Sequence, residues 1–413
     1  MNILIASSTF PRWPNDAVPD FVWQQAVHLH KSFPELKIFI LAPHDEGAKR
    51  TEEWDGIKIF RFRYFFPSRL ERLVYPAIWP NIKRNPLLVL LIPFLILTEF
   101  ISTFRLVRSQ NIKLVYSHWF LPQAIACGLA ARILGVPHVL TTHSSDVQVM
   151  GKLPVIGRLI VRSWIRQCKA VSAVSRRSLA KLRAFFSDAE WEELSQMAQV
   201  IPMGVDLEAW RHLPMTGDKA REKHGIPPGL VLLFMGRLAE KKGLDYLLEA
   251  LAAPEFQLPQ SQPTLIIAGD GPLRVRLRKK CAQLGLSDMV RFVGYVQGQE
   301  KRDYFAAADV LVLPSIITSS GDAEGLPVVL VEGLASGNIC VASDASGADD
   351  IIVDGVNGFL VPQKDAVALR GAIMRCAQLS PEEKDRMCNN AVETAKRFDW
   401  QTIATRHFEH LIR

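Results

Sequence analysis

A strand-like run, Leu230 to Met235, ends in Gly236-Arg237-Leu238-Ala239-Glu240-Lys241-Lys242-Gly243, after which Leu244 to Leu251 has helical spacing. Gly236 frees the turn, Arg237 and Lys242 supply two cations, and the N-terminus of the following helix adds partial positive charge. That combination suits a diphosphate, although a charged surface loop is the plainer account of a Lys-Lys pair. A second run, Glu324-Gly325-Leu326-Pro327-Val328-Val329-Leu330-Val331-Glu332, follows a strand ending at Pro314 and a Ser-rich loop over residues 315–323. Pro327 is expected in the first helical turn, which leaves Glu324 in the loop and Glu332 inside the helix. A carboxylate ahead of the helix can accept sugar hydroxyls and one inside it can hold a ribose diol. The amides from Leu326 to Val329 then face a phosphate. The plainer account is an N-capping Glu and an unrelated solvated one. Gly269-Asp270-Gly271-Pro272, which follows Thr264 to Ala268, lacks the third glycine of a dinucleotide fingerprint and reads as a tight structural turn.

These residues need elements to hold them. In the first half, apolar strand-like runs at Ile3 to Ala6, Ile38 to Ala42, Ile57 to Phe62, Leu114 to Tyr116, His138 to Thr142, Ala170 to Val174 and Val200 to Pro202 alternate with helical stretches. The second half repeats the scheme with Leu230 to Met235, Thr264 to Ala268, Val290 to Val293, Val310 to Pro314 and Ile339 to Ser343. Alternation of this kind implies parallel, doubly wound sheets, hence two Rossmann-like α/β domains. We expect them over residues 1–205 and 229–398, with a Gly- and Pro-rich linker at 206–228 that includes Pro214 and Gly217, and a C-terminal helix near 399–413 that packs back on the first domain. In open α/β sheets ligands sit outside the carboxyl ends of the strands, where the polar runs above fall.

A chain of 413 residues, 22% charged and 48% hydrophobic, has the composition of an ordered globular protein. Its charge is uneven: residues 1–205 hold 25 Lys and Arg against 15 Asp and Glu, whereas residues 206–413 hold 24 against 27. The six cysteines form no C-x-x-C pair and have no His at metal-ligand spacing, as expected of free thiols in a reducing compartment. The N-terminus reads as a first strand and not as a signal peptide, so a cytoplasmic location is expected. The apolar run from Asn85 to Thr98 contains Pro86 and Pro93 and is shorter than a span, which favours a core or interfacial helix. From Val147 to Ser187 there is no acidic residue, while Lys152, Arg158, Arg162, Arg166, Lys169, Arg176, Arg177, Lys181 and Arg183 stand beside Val155, Ile156, Leu159, Ile160 and Trp164. Arg61, Arg63, Arg69, Arg72, Lys83 and Arg84 form a second basic group among Phe60, Phe62, Tyr64, Phe65 and Phe66. An anionic membrane surface suits such basic-aromatic patterning; a solvated basic face is the plainer account, and no nucleic-acid motif accompanies the charge.

Taken as a set, Gly236 to Gly243, Gly269 to Pro272, Arg291 to Gly294, Pro314-Ser315, the Glu324 to Glu332 run and Val353 to Val361 resemble glycosyltransferase family 4, the group 1 transferases, in order and spacing over roughly residues 1–410. The resemblance implies a GT-B fold, two Rossmann-like domains facing a central cleft, with a UDP- or GDP-linked sugar donor, no cofactor, no required metal and retention at the anomeric carbon. It assigns Arg237 and Lys242 to the diphosphate, Glu332 to the ribose and Glu324 to the transferred sugar, with Gly325, Leu326 and Val328 beside the donor. Thr141-Thr142-His143-Ser144-Ser145-Asp146 resembles the family's Thr-x-His-Gly-x-Asp, with Ser144 in place of Gly, and makes His143 a catalytic candidate. His118 and Ser175 also occupy family positions and are taken as structural or acceptor-side. Where many relatives carry Gly-Gly after the first strand, this chain has Ser8-Thr9-Phe10-Pro11-Arg12-Trp13-Pro14-Asn15-Asp16. The implied activity is hexosyl transfer to a lipid-linked or glycan acceptor in envelope or exopolysaccharide synthesis, at the inner face of a membrane. A GT-B-type epimerase or phosphorylase, or a nucleotide-sugar binder without turnover, shares the fold; the joint presence of both glutamates and both cations argues against the binder.

Overall fold

Fourteen short strands, most of them apolar, and the helices between them build two largely parallel sheets in the computed structural model, which describes residues 1–14, 16, 18–143, 145–151, 153–213, 215–256 and 262–413. Of the residues named above, Asn15, Ser144, Lys152 and Pro214 lie outside the described residues, as do the side chains of Ser145 and Asp146. The chain divides into two compact units, Met1–Gly204 with Trp400–Arg413, and Val205–Asp399.

The first unit's sheet comprises β1 (Asn2–Ala6), β2 (Lys37–Pro43), β3 (Thr51–Trp54), β4 (Ile57–Phe62), β5 (Leu114–His118), β6 (His138–Thr142), β7 (Ala170–Ala173) and β8 (Ala198–Val200), in the order β3-β4-β2-β1-β5-β6-β7-β8. Strands β5 and β6 are buried at every position, as strands covered by helices on both faces must be. One strand breaks the parallel pattern. The left-handed pair Asp55-Gly56 reverses the chain, so β3 lies antiparallel to β4 as an edge hairpin. An Asp-Gly dipeptide between β-formers is the local signal for such a turn.

In the second unit, β9 (Val231–Met235), β10 (Thr264–Ala268), β11 (Val290–Gly294), β12 (Val310–Leu313), β13 (Ile339–Ser343) and β14 (Phe359–Val361) are ordered β11-β10-β9-β12-β13-β14 and run parallel. The expected linker at 206–228 is corrected here: it is part of this unit. Asp206 caps the helix Leu207–Arg211 through Ala209 N, and Leu207, Trp210, Ala220 and Ile226 are buried in one cluster with Leu233 and Leu311. Gly217 opens the helix Gly217–Lys223 and Gly225 follows its end, so these glycines mark helix ends and not a free tether. The chain then returns to the first unit, where Leu411 and Ile412 join Ile3 and Ile5 and the Phe408 ring stacks on Phe33 at 3.9 Å. Near Gly204 an added Cβ would come within 2.5 Å of the buried Trp400 ring. A buried hydrogen-bond chain locks the segment in place, running from His407 Nδ1 to the Tyr116 hydroxyl (3.2 Å), on to Thr141 (2.6 Å) and then to Ser172 (2.6 Å).

The helix Ile92–Ser109 carries the apolar run flagged above. Leu95, Glu99, Thr103 and Leu106 recur along one face and are buried. Glu99 is fully enclosed; it accepts from Cys127 Sγ at 3.8 Å, and burial raises its carboxyl from the usual range to about 8. A carboxyl whose folded pKa stands above its unfolded one contributes stability that is complete below about pH 4.5 and is lost as pH rises through about 8. The thermal midpoint of the wild type should therefore fall more steeply between about pH 5 and pH 8 than that of Glu99→Gln, a difference of a few kcal/mol in unfolding free energy. Parallel melting-temperature profiles for the two proteins would refute the burial argument.

Candidate functional site

In the second sheet the chain passes from β9 outward through β10 and β11, then returns to the other side of β9 through β12. Such a reversal opens a crevice at the carboxyl ends of the two central strands. The β9 loop, which carries Arg237 and Lys242, and the β12 loop, which carries Glu324, both start there. The Gly269–Pro272 turn buttresses the first of them: Leu238 N donates to Asp270 O at 2.9 Å, and Leu273 N to Leu238 O at 3.1 Å.

Gly243 joins the two loops. It takes a left-handed conformation, φ +66°, between a 3-10 turn, Glu240–Lys242, and the helix Leu244–Ala252. A Cβ there would lie 1.8 Å from the Pro314 carbonyl oxygen, so the approach requires glycine. Beside it, Ile316 N donates to Lys241 O at 2.8 Å. This contact brings Lys242 Nζ to 2.9 Å from Glu324 Oε2, with Lys241 Nζ 3.3 Å from Oε1 and 3.4 Å from Asp322 Oδ1. Burial pushes the Glu324 carboxyl up, but the attraction and hydrogen bonds of Lys242 and Lys241 outweigh it and hold the group down to about 2. Burial likewise opposes the charge on Lys241, and the two carboxylates raise its pKa above the ordinary lysine value. Two residues assigned separately from the sequence, Lys242 and Glu324, thus form one ion pair. Lys241, passed over there because a Lys-Lys pair is usually solvated, completes the cluster.

Pro327 stands at the N-cap, extended with ψ 122°, one residue ahead of the helix Val328–Ala335 and not in its first turn as expected. Gly325 and Leu326 lie half-buried in the loop before it and Val328 at the helix start, where first-turn amides have no acceptor within the helix. Glu332, a turn further on, is buried with Oε1 2.6 Å from Lys301 Nζ, and that ammonium also sits 5.1 Å from the centre of the Trp210 ring. Arg237 is exposed at the β9 end. Among the described residues no group of three His, Cys, Asp or Glu side chains is placed to hold a metal ion.

In the first unit the reversal falls between β1 and β5. His118 ends β5, and His143 follows β6. The two rings share a hydrogen bond, His118 Nδ1 to His143 Nε2 at 3.1 Å. Burial lowers His143 to about 3, and burial together with the neighbouring histidines holds His118 well below its ordinary value. Both are therefore neutral near pH 7, one donating and one accepting. Trp119 stacks on His143 with ring centres 4.3 Å apart, and Phe21, which opens the helix Phe21–Ser32, packs 5.3 Å from His143 and 5.8 Å from Trp119. Trp119 holds φ +72°, a strained value for a bulky residue. Neither aromatic stood out in the sequence, because Phe21 is distant along the chain and a backbone angle leaves no mark on residue type. The loop that replaces Gly-Gly is pinned: Arg12 donates to both Asp16 oxygens at 2.8 Å and to Asp45 at 2.9 Å, and its guanidinium lies 4.3 Å from the centre of the Trp13 ring. Ser175 caps the helix Arg176–Arg183 through Ser178 N.

Two family models match the chain: "Glycosyl transferases group 1" over residues 217–394 and "Glycosyltransferase Family 4" over residues 21–209. The D-inositol 3-phosphate glycosyltransferase 2 of Catenulispora acidiphila is 30% identical over 70% of this chain and 68% of its own length. A GDP-mannose-dependent alpha-(1-6)-phosphatidylinositol monomannoside mannosyltransferase of Mycolicibacterium smegmatis is 29% identical over 65% of this chain and 68% of its own. Among solved structures, HepE of Anabaena in complex with UDP-glucose aligns over 100% of this chain and 99% of its own with a TM-score of 0.71 at 22% identity, a likeness of fold.

The Gly243 contact yields a quantitative comparison with Gly285, which has φ +72° and nothing within 4 Å of an added Cβ. Gly285→Ala should cost about 1 to 2 kcal/mol, the left-handed strain alone. Gly243→Ala should cost about 1 to 3 kcal/mol more, because Pro314 has to move. Chemical denaturation of both variants checks this, and equal costs would show that the two loops separate freely.

Proposed function

The chain belongs to the group 1 glycosyltransferases, family 4, with the GT-B fold, and is a hexosyltransferase; on that premise we propose that it takes a hexose from a nucleoside diphosphate sugar with retention and without a required metal. The observation that carries this reading is the ionised Glu324 held by Lys242 and Lys241 at the crevice between β9 and β12, with Arg237 exposed just after β9. In the proposed reaction the bond between the anomeric carbon and the β-phosphate oxygen breaks as negative charge develops on the diphosphate. Arg237, Lys242 and the amides around Leu326 and Val328 stabilise that charge. The departing oxygen takes the acceptor hydroxyl's proton, and the acceptor oxygen bonds to the same face of the sugar. Glu324 accepts hydrogen bonds from the sugar, Glu332 holds the ribose, and His143 acts as a neutral hydrogen-bonding group. No covalent sugar-enzyme intermediate is needed.

Support for a nucleoside diphosphate sugar comes from the UDP-glucose bound by the Anabaena protein and the GDP-mannose dependence named for the Mycolicibacterium enzyme. The acceptor is proposed to be lipid-linked or a growing glycan, in envelope or exopolysaccharide synthesis; the phosphatidylinositol mannoside named for that same relative supports the lipid-linked form. The proposed setting is the cytoplasmic face of a membrane. Six free cysteines, five of them buried, support a reducing compartment, and the basic stretch 147–187 supports an anionic surface.

Arg237→Ala and Lys242→Ala should each lower turnover by about 2 to 4 kcal/mol in the barrier, roughly 30- to 1,000-fold, with the circular dichroism spectrum unchanged. Release of nucleoside diphosphate from UDP- and GDP-hexoses is the readout, and near wild-type rates in both variants would remove the diphosphate assignment. Activity should also survive a chelator; loss of activity that Mn²⁺ or Mg²⁺ restores would contradict the metal-free mechanism.

A further inference from the structure

We infer that the segment from Phe66 to Leu97 is a membrane wedge, its apolar stripe lying in the plane of an anionic bilayer; this rests on the reading of the chain as working at a membrane surface. The stretch Pro86–Ser109 is 24 residues long and apolar enough to cross a membrane, yet only 17% of its most apolar window is buried in the protein. The buried part is the face of Leu95, Glu99, Thr103 and Leu106. Opposite it, Leu87, Leu90, Phe94 and Leu97 are 72%, 65%, 49% and 54% exposed, and their spacing of three, four and three residues puts them on one stripe. Phe66 (80% exposed) and Trp79 are further exposed apolar residues of the segment, and the Phe65 ring beside Phe66 packs on Phe94. A continuous exposed stripe of this size marks an interaction surface.

The same helix cannot leave the fold to span. Glu99 and Thr103 both contact Cys127, at 3.8 and 3.2 Å, and Leu106 and Val107 are buried just before the chain enters β5. Only the first part of the helix and the turn before it, Pro86–Leu91, are available, which suits insertion parallel to the surface.

Charge selects the partner. Between residues 56 and 98 the chain holds Lys58, Arg63, Arg69, Arg72, Lys83 and Arg84, with Arg61 buried and paired to Glu52, and a single acid, Glu71. Glu71 is buried, bonded to His44 Nδ1 at 2.6 Å and to Tyr64 N at 2.9 Å, so it presents no negative charge outward. Arg63 lies 5.4 Å from the centre of the Phe66 ring and Lys83 6.0 Å from that of Trp79, cations paired with the aromatics of the stripe. Aromatic, aliphatic and cationic side chains mixed this way match the boundary between acyl chains and anionic headgroups.

Topology favours a bilayer over a shaped protein partner. Ser117 of β5 pairs with Leu140 of β6, which puts Val115 and Leu140 on one face of the sheet. Val115 packs with Leu95 and Cys127, and Leu140 packs with Val161, so the helices Ile92–Ser109, Ile125–Ile133 and Pro154–Ile165 cover that same face. Each bears exposed apolar residues: Leu129 and Ile133 on the second, Val155, Ile156 and Leu159 on the third beside Arg158. Separate apolar stripes along one basic layer need a partner that adapts to each of them, as fluid lipid does.

The test uses the full chain, sedimented with phosphatidylcholine vesicles and with vesicles that also contain phosphatidylglycerol, at low and high salt. Wild type should pellet with the anionic vesicles, more strongly at low salt. Leu90→Asp with Phe94→Asp should lower that binding about tenfold or more while leaving the thermal shift caused by UDP or GDP intact. Equal binding by wild type and variant would overturn the wedge while the membrane reading stands. Failure of the wild type to bind either vesicle would overturn both, and the nucleotide shift would still report separately on the glycosyltransferase site. A wild-type dimer that the double variant dissociates, read by light scattering, would assign the stripe to a second copy and also overturn the proposal.

Discussion

At Gly243 the backbone passes so close to the Pro314 carbonyl that no side chain fits between them. The candidate site of the second unit follows from that approach. Lys241 and Lys242 directly precede the glycine in a 3-10 turn, so locking it against the β12 loop fixes where both ammonium groups reach. Glu324, on the far side of that loop, then meets both of them. The pair keeps the carboxylate ionised against its own burial, and the carboxylate keeps two like charges side by side at tolerable repulsion. Neither arrangement survives if the loops part.

The histidines of the first unit follow the opposite logic. Among the described residues no carboxylate is bonded to them, and burial, joined at His118 by the neighbouring histidines, decides for the neutral rings. Trp119 and Phe21 supply the cover that excludes water, and the backbone at Trp119 bears strain to hold its ring against His143. A charged clamp and a neutral hydrogen-bonding pair are thus built from the same strand-end geometry, and the difference lies in what packs around each.

The helix Ile92–Ser109 shows how one segment can serve two solvents. Its inner face carries a buried carboxyl against a thiol and anchors the fold, while its outer stripe is as apolar as a core. Hydropathy along the chain sees only the sum of the two faces, so the short run with its two prolines points to a core or interfacial helix without telling the faces apart. Only the placement of Glu99 inside the unit shows that the helix stays where it is.

Much of this protein was legible from residue order alone. Strand and helix alternation reports local backbone preference and burial on both faces, so the two parallel sheets, the strand ends and the motifs after them could be read directly, with Arg237, Lys242, Glu324 and Glu332 at their places on loop and helix. Local signals also misled where tertiary burial overrode them. Gly and Pro at 206–228 looked like a tether, whereas Trp210 and Ile226 lie in the core. What the order of residues could not contain is proximity. That Lys242 binds Glu324 rather than standing free, that His118 and His143 share a hydrogen bond, and that His407 ties the end of the chain to Tyr116 depend on contacts across 82, 25 and 291 positions. Such contacts, and the burial that sets the charge state of each group, exist only once the sheets have closed.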